Sequence, residues 1–312
     1  MLKRWIPALV LTLATALVVA QSPDAPAQND SPTAVLTSCR GPVTIVKGNG
    51  PIAATFGATL SEGDEVKTGA DAEAEIMFAS GNWVSVGANS SMKIKGQPGA
   101  TKAKEQNFEV VQNFLKLKST EGTSSISGLR SGEKSNDLVA VSPCQTKVQN
   151  ASPTFAWNAE DPTLELNVVV YNETGVQWQS EVSGVTSVAY PADAPTLVPG
   201  VSYSWTLETA DPMVSPPLRT SASFFEIIAK DDEASLQKEL AAIDAKKPSA
   251  TSYHLMRASL FFDRGLIADA ITETQAAVAT DPTNASLHAI LGKLYATAGR
   301  TTEAMAEMEK SR

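Results

Sequence analysis

The chain has 312 residues, a length that suits two or three domains. Its 43% hydrophobic and 19% charged residues exclude an intrinsically disordered protein. A formal net charge of −9 argues against non-specific binding to nucleic acid or to an anionic membrane, because both need a basic footprint.

Met1–Trp5 is short and cationic, through Lys3 and Arg4. Ile6 to Ala20 is a nearly unbroken apolar run that ends Val18-Val19-Ala20 before Gln21. This is the pattern of a secretory signal peptide over residues 1–20, cleaved after Ala20. The run is short for a membrane span, which takes roughly 20 residues. An uncleaved N-terminal membrane anchor is the alternative. The expected location is the periplasm or the cell surface. Residues 21–33 (QSPDAPAQNDSPT) lack apolar periodicity and read as a linker.

Residues 34–141 read as an all-β domain. Ala72, Ala74, Ile76 and Phe78 alternate with Glu73, Glu75 and Met77. Val84 and Val86 alternate with Ser85, Met92 and Ile94 with Lys93 and Lys95, and Leu115 and Leu117 with Lys116 and Lys118. Period two with glycine-rich turns is the signature of half-buried antiparallel strands. By period alone, Glu73 and Glu75 form a solvated face. Residues 119–137 are polar and predict a long loop.

Residues 143–229 predict a β-sandwich. Pro153–Trp157 reads as a first strand, and Leu164, Leu166, Val168 and Val170 alternate. Leu197-x-Pro199-Gly200-x-x-Tyr203-x-Trp205 has the spacing of a tyrosine corner, in which a tyrosine hydroxyl bonds to backbone near a turn. Residues 231–312 are helical. Ala258 and Gly292, Phe261 and Tyr295, Gly265 and Gly299, Ala270 and Ala304, and Pro248 and Pro282 are each 34 apart, and Leu291-Gly292-x-x-Tyr295 sits in the second unit. Fold class is therefore multidomain, β then α.

Three resemblances rest on these residues. Leu60-x-x-Gly63-Asp64-x-Val66-x-Thr68-Gly69, followed by Ala74-Glu75-Ile76-x-Phe78 and by Gly81, Val84 and Gly87, resembles the FecR-type β-domain over residues 35–118. The sandwich resembles Ig-like and fibronectin type III domains. The 34-residue period resembles tetratricopeptide repeats, which implies a concave helix surface for protein segments. FecR-type proteins regulate a sigma factor across a membrane. That activity is not expected here, because only Met1–Trp5 precede the apolar run.

Catalytic, cofactor and metal sites are expected to be absent. His254 and His288 occupy equivalent repeat positions, where a structural pair is simpler than a metal site. Lys67-Thr68-Gly69, Ser90-Ser91-Met92-Lys93 and Ser131–Lys134 imitate penicillin-binding motifs in the wrong order. The carboxylates of residues 60–76 lack calcium-loop spacing. Cys39 and Cys144 are a possible disulfide in an exported protein. Trp178, beside a turn, is the candidate ligand platform. The expected role is a non-enzymatic protein-interaction scaffold of the cell envelope; the alternative is a binder of cell-wall glycan or peptidoglycan. Export predicts a mature N-terminus at Gln21, read by mass spectrometry of protein recovered from the envelope. A chain that retains Met1 there supports the anchor instead.

Overall fold

The computed structural model describes residues 32–96, 101–119, 138–161, 163–211, 213 and 218–312. The predicted signal peptide, the linker as far as Ser31 and the predicted loop beyond Ser119 lie outside them.

Eight short strands open the described chain: β1 (Ala34–Arg40), β2 (Val43–Lys47), β3 (Gly50–Ala53), β4 (Thr59–Leu60), β5 (Glu65–Thr68), β6 (Glu73–Phe78), β7 (Trp83–Val86) and β8 (Ser91–Lys93). They form two four-stranded antiparallel sheets, ordered β4-β1-β6-β7 and β3-β2-β5-β8. Leu36, Ile45, Leu60, Val66, Ile76, Phe78 and Ile94 fill the space between them. The alternation of β6 is a true strand signal, but its second face is not wet. Only Glu73 is exposed, paired with Arg40, whereas Glu75 and Met77 are buried at 6% and 1%. This corrects the expectation that Glu75 is a solvated residue. Period two separates the faces of a strand; what covers each face is decided by the rest of the chain.

The cover is helical. Helix α1 (Lys102–Leu115) continues into a 3-10 turn, Lys116–Lys118, where the sequence predicts a strand. Leu115 and Leu117 do alternate locally. The longer apolar series Phe108, Val111, Phe114 and Leu115 has helical spacing, and it is buried. Those four residues share one core with Val35 and Met77 of the first sheet.

The second β-unit comprises β9 (Leu138–Ser142), β10 (Thr146–Val148), β11 (Thr154–Ala159), β12 (Leu166–Asn172), β13 (Gly175–Val182), β14 (Ser187–Ala189), β15 (Ser202–Thr209) and β16 (Ser223–Ile227). A five-stranded sheet, β10-β16-β15-β12-β13, faces a three-stranded one, β14-β11-β9. Phe155, Trp157, Val168, Val170, Trp205, Leu207 and Phe225 fill the interior as predicted for a sandwich. The Tyr203 hydroxyl accepts from Val198 N at 2.8 Å, which locks the corner before β15. Trp205 Nε1 donates to Pro143 O at 2.7 Å.

Five helices follow: α2 (Lys230–Lys246), α3 (Ala250–Asp263), α4 (Ile267–Thr280), α5 (Ala285–Thr297) and α6 (Thr301–Lys310). Gly265 and Gly299 stand at equivalent bends with φ of +74° each, a conformation that costs glycine little and other residues more. Asp231, Asp232 and Glu233 lie in the first turn of α2, the favourable end of the helix dipole for negative charge. The sandwich meets the helices at β10: Lys147 N donates to Gly265 O at 2.8 Å and Gln149 Nε2 to Asp269 Oδ1 at 3.1 Å. Burial pushes the Asp269 carboxyl above its usual range, against the lowering hydrogen bond from Gln149.

The first sheet meets the helices at a polar knot. Ser249, the N-cap of α3, donates to Glu75 through both its backbone N (3.0 Å) and its Oγ (2.6 Å). Ser252 Oγ donates to Thr37 Oγ1 at 2.9 Å, and Thr37 Oγ1 donates to Glu75 O at 3.2 Å. The β1–β6 register shifts between Leu36 and Ser38, which places Thr37 at the irregularity. Replacing Glu75 by Ala removes the buried carboxylate that accepts from Ser249 N and Oγ, so about 1.5–3 kcal/mol of stability, the worth of hydrogen bonds to a charged group, should be lost in urea unfolding. Glu73→Ala, two residues away on the exposed side, should cost less than about 0.5 kcal/mol.

Candidate binding surfaces

The repeat-signature residues occupy equivalent places in two helical hairpins, α3–α4 and α5–α6. Ala258, Phe261, Ala270, Leu291, Tyr295 and Ala304 are buried, with exposures of 5% or less. Gly292 lies under α6, where an added Cβ would come within 3.1 Å of Ala304 O. The Pro282 carbonyl accepts from His288 Nε2 at 2.9 Å. The side expected to form an open concave groove is not open. Helix α3 packs on α1 and β1, and α5 packs on the 3-10 turn, so the chain's own N-terminal half fills it.

His254 and His288 play matching parts within the hairpins. His254 Nδ1 lies 2.7 Å from Glu273 Oε2, and His288 Nδ1 lies 2.5 Å from Glu307 Oε2. Each glutamate also binds a cation, Arg257 at 2.7 Å and Lys310 at 2.7 Å respectively. Burial opposes ionisation of Glu307, yet the hydrogen bonds from Lys310 and His288 outweigh it and hold the carboxyl below its usual range.

The other sequence-level candidates are scattered. Asp64 accepts from Ser61 N at 2.9 Å and pairs with Lys47 at 3.4 Å; Glu65 pairs with Lys67 at 3.2 Å. No group of three or more metal-ligating side chains gathers among the described residues. Thr68 is tied to the loop before β8 through Ser90 N at 3.0 Å, so Lys67-Thr68-Gly69 serves a strand end. Ser131–Lys134 lies outside the described residues.

Cys39 and Cys144 are both free thiols. They belong to different seams: Cys39, near the end of β1, packs against the helical core, while Cys144 donates to Ser223 Oγ at 3.2 Å where the sandwich meets the last helices. Burial raises both thiols above their usual range, in Cys39 with help from Asp281 and in Cys144 against the Ser223 hydrogen bond. A cavity of about 150 Å³ adjoins Cys144, lined also by Ser142, Gln275 and Arg300. Trp178 turns inward. It stacks on Phe155 at 6.0 Å and meets Tyr190 edge-on at 5.4 Å, which leaves the ring half-buried against the sandwich core.

Two surfaces stand out in place of these. The first is the outer face of the five-stranded sheet. Cross-strand register aligns Val176, Tyr171, Ser204 and Phe224 in one row over β13, β12, β15 and β16. Four strands make a row about 14 Å wide. Val176 is 54% and Phe224 53% exposed. The next row holds Gln179, Val169 and Thr206. Thr206 is buried, and its Oγ1 has no hydrogen-bond partner. Charges on this face stand towards its margins: Glu208 pairs with Arg219, Glu226 pairs with Lys147, and Glu181 is exposed opposite Asn167. Period-two reading of β12 and β16 could have located the row, since Phe224 and Tyr171 sit out of phase with the core residues.

The second surface is a groove between the β6–β7 hairpin and helices α1, α2 and α3. Met77, Val111, Ile243 and Leu260 form its floor, and Lys104 and Lys246 line it. Lys246 Nζ donates to Gly81 O at 2.7 Å. Nothing in the sequence joins Gly81, Lys104 and Lys246; only the packing of α1 and α2 onto the hairpin does.

The fold thus defines a two-sheet sandwich fused to helical hairpins, and the hairpins close against an N-terminal β-unit. The chain belongs to the family described as Domain of Unknown Function (DUF928), whose model matches residues 120–308, across the sandwich and the helices. Among curated proteins, none matches the chain. The antiparallel sheets fit the β-sandwich expected over residues 143–229, whereas the match overturns the FecR-type and tetratricopeptide resemblances, since no FecR-type or tetratricopeptide match accompanies it. What resembled them is generic: alternating strands with glycine turns, and two stacked hairpins of equal length.

Because the Glu307 carboxyl is held low in the folded state, its contribution to stability is present above the usual carboxylate range. It is lost as pH falls through the depressed value. Glu307→Gln should therefore lower the thermal midpoint at neutral pH, and the gap to wild type should close on acidification. A gap that persists at acid pH would assign the loss to packing.

Proposed function

We propose that this protein is an exported, non-enzymatic docking protein of the cell envelope, which holds a protein partner on the outer face of its five-stranded sheet. The observation that carries this reading is the exposed row Val176–Tyr171–Ser204–Phe224, uncharged at its centre. Exposed apolar and aromatic side chains rimmed by polar groups are the usual mark of a contact surface. The cationic start at Lys3 and Arg4 and the apolar run to Ala20 support export. The inner side of the hairpins is already occupied, so it is not offered as the docking site.

A glycan ligand is the second reading, and one observation favours it. Tyr171 and Phe224 are two strands apart, about 10 Å, among the amide and hydroxyl groups of Gln179, Ser204 and Ser202. Aromatic faces with such neighbours suit sugar rings. Capture from envelope extract tests the primary reading. A partner held by wild type should be lost with Phe224→Glu and kept with Met305→Glu, a change at an exposed site on α6. An identical set of partners for both variants would remove the sheet face. Sedimentation with purified cell wall, lost in Tyr171→Ala, would favour the glycan.

A further inference from the structure

The five-stranded sheet ends at β13, and this edge is separate from the docking face. Among the described residues β13 pairs with β12 alone, although it is eight residues long. Free strand edges are templates for another chain, so they are ordinarily short, broken by proline or guarded by lysine. Other edges here follow that rule. β4 has two residues, β8 and β14 have three, β3 contains Pro51, and β10 is tied to the helices by Lys147 N on Gly265 O. β13 has no proline, lysine or arginine. A register shift opposite Tyr171 disturbs its start, and Trp178–Val182 then runs regularly.

The register also tells which backbone groups are free. Ala210 N donates to Glu165 O, and bonded pairs alternate along an antiparallel ladder. Leu166, Val168 and Val170 therefore turn their backbone towards β13, where they bond Val182, Ser180 and Trp178. The N–H and C=O of Gln179 and Glu181 are left aimed off the edge. The inner side is open too. Trp178, Ser180 and Val182 all stay partly exposed, whereas Leu166, Val168 and Val170 beside them are at 2% or less.

We propose that β13 pairs antiparallel with β13 of a second copy of this chain, about a two-fold axis at Ser180, so that the two five-stranded sheets become one. An axis normal to the sheet keeps every side chain on its own face, so it must pass through a residue position. Centred on Glu181, it would set two carboxylates against each other. Centred on Gln179, it would bring Glu181 against the disturbed stretch at Gln177. Centred on Ser180, it opposes Gln179 of each copy to Glu181 of the other, and each such pair exchanges two backbone hydrogen bonds. All the outward groups are then satisfied. The Gln179 amide stands beside the second copy's Glu181 carboxylate on the outer face, and Trp178 beside its Val182 on the inner. Such an isologous contact closes at two copies.

Sedimentation velocity of the full chain over a concentration series tests this and should show a monomer–dimer equilibrium. Gln179→Pro removes an outward N–H and keeps every bond to β12, so it should weaken the dimer about ten-fold or more and leave the thermal midpoint near that of wild type. Gln179→Lys, set against Glu181, should tighten it about three-fold at low salt, and Gln179→Glu should loosen it. Ser180→Cys brings two thiols together at a non-hydrogen-bonded pair, with Cα atoms about 4.5 Å apart. It should give a disulfide-linked dimer in air that wild type does not form. A chain that stays monomeric at every concentration, or an association untouched by Gln179→Pro, would overturn the edge pairing. A dimer that Gln179→Pro dissolves and Ser180→Cys does not cross-link would overturn the axis at Ser180.

Discussion

One buried carboxylate organises this molecule. Glu75 stands on the face of β6 turned away from its own sheet's core, and its charge is met by the backbone and hydroxyl of Ser249 at the start of α3. A buried anion is tolerated only where donors surround it, and a helix N-terminus supplies them together with a favourable dipole. The strand and the helix are therefore mutually required. Once they are joined, Met77 and Val35 face the hairpins. The space left between sheet and helices is filled by Phe108, Val111, Phe114 and Leu115 of α1. A single apolar cluster then runs from residue 35 to residue 304, through parts of the chain that look like separate modules.

This closure determines which surfaces remain for function. It uses up the inner side of α3 and α5, the surface that a repeat array would offer to a partner. It leaves the outer face of the five-stranded sheet open, because the sandwich meets the helices through β10 at one margin. It also creates the lysine groove, whose walls come from β6–β7, α1, α2 and α3 and exist only in the assembled state. The family match begins at residue 120, yet α1 and β1, which lie before it, complete the core of the matched helices. The N-terminal β-unit thus acts as a structural partner to the DUF928 region within one chain.

Local pattern carried the strands of both β-units and the helical character of the last 80 or so residues. Tyr203 and its hydrogen bond were legible from Leu197 and Gly200, since corner and turn are set within a few residues. The period of 34 marked two equal hairpins correctly, because Gly265 and Gly299 must bend the chain alike. The same period misled about what the hairpins face. The helix at Lys102–Leu115 went unread because Leu115 and Leu117 mimic a strand over four residues, while its apolar stripe needs eight to show.

The sequence by itself determined the order β then α, the sandwich core around Trp157 and Trp205, and the hairpin repeat, since each depends on neighbours in the chain or on a fixed period. Only the tertiary structure decided that Glu75 is buried while Glu73 is wet, that Trp178 turns inward, that Cys39 and Cys144 sit in different seams, and that Lys104 and Lys246 meet. The physical reason is the same in every case. Period assigns a side chain to a face, but burial, pairing and charge depend on what the distant chain lays upon that face.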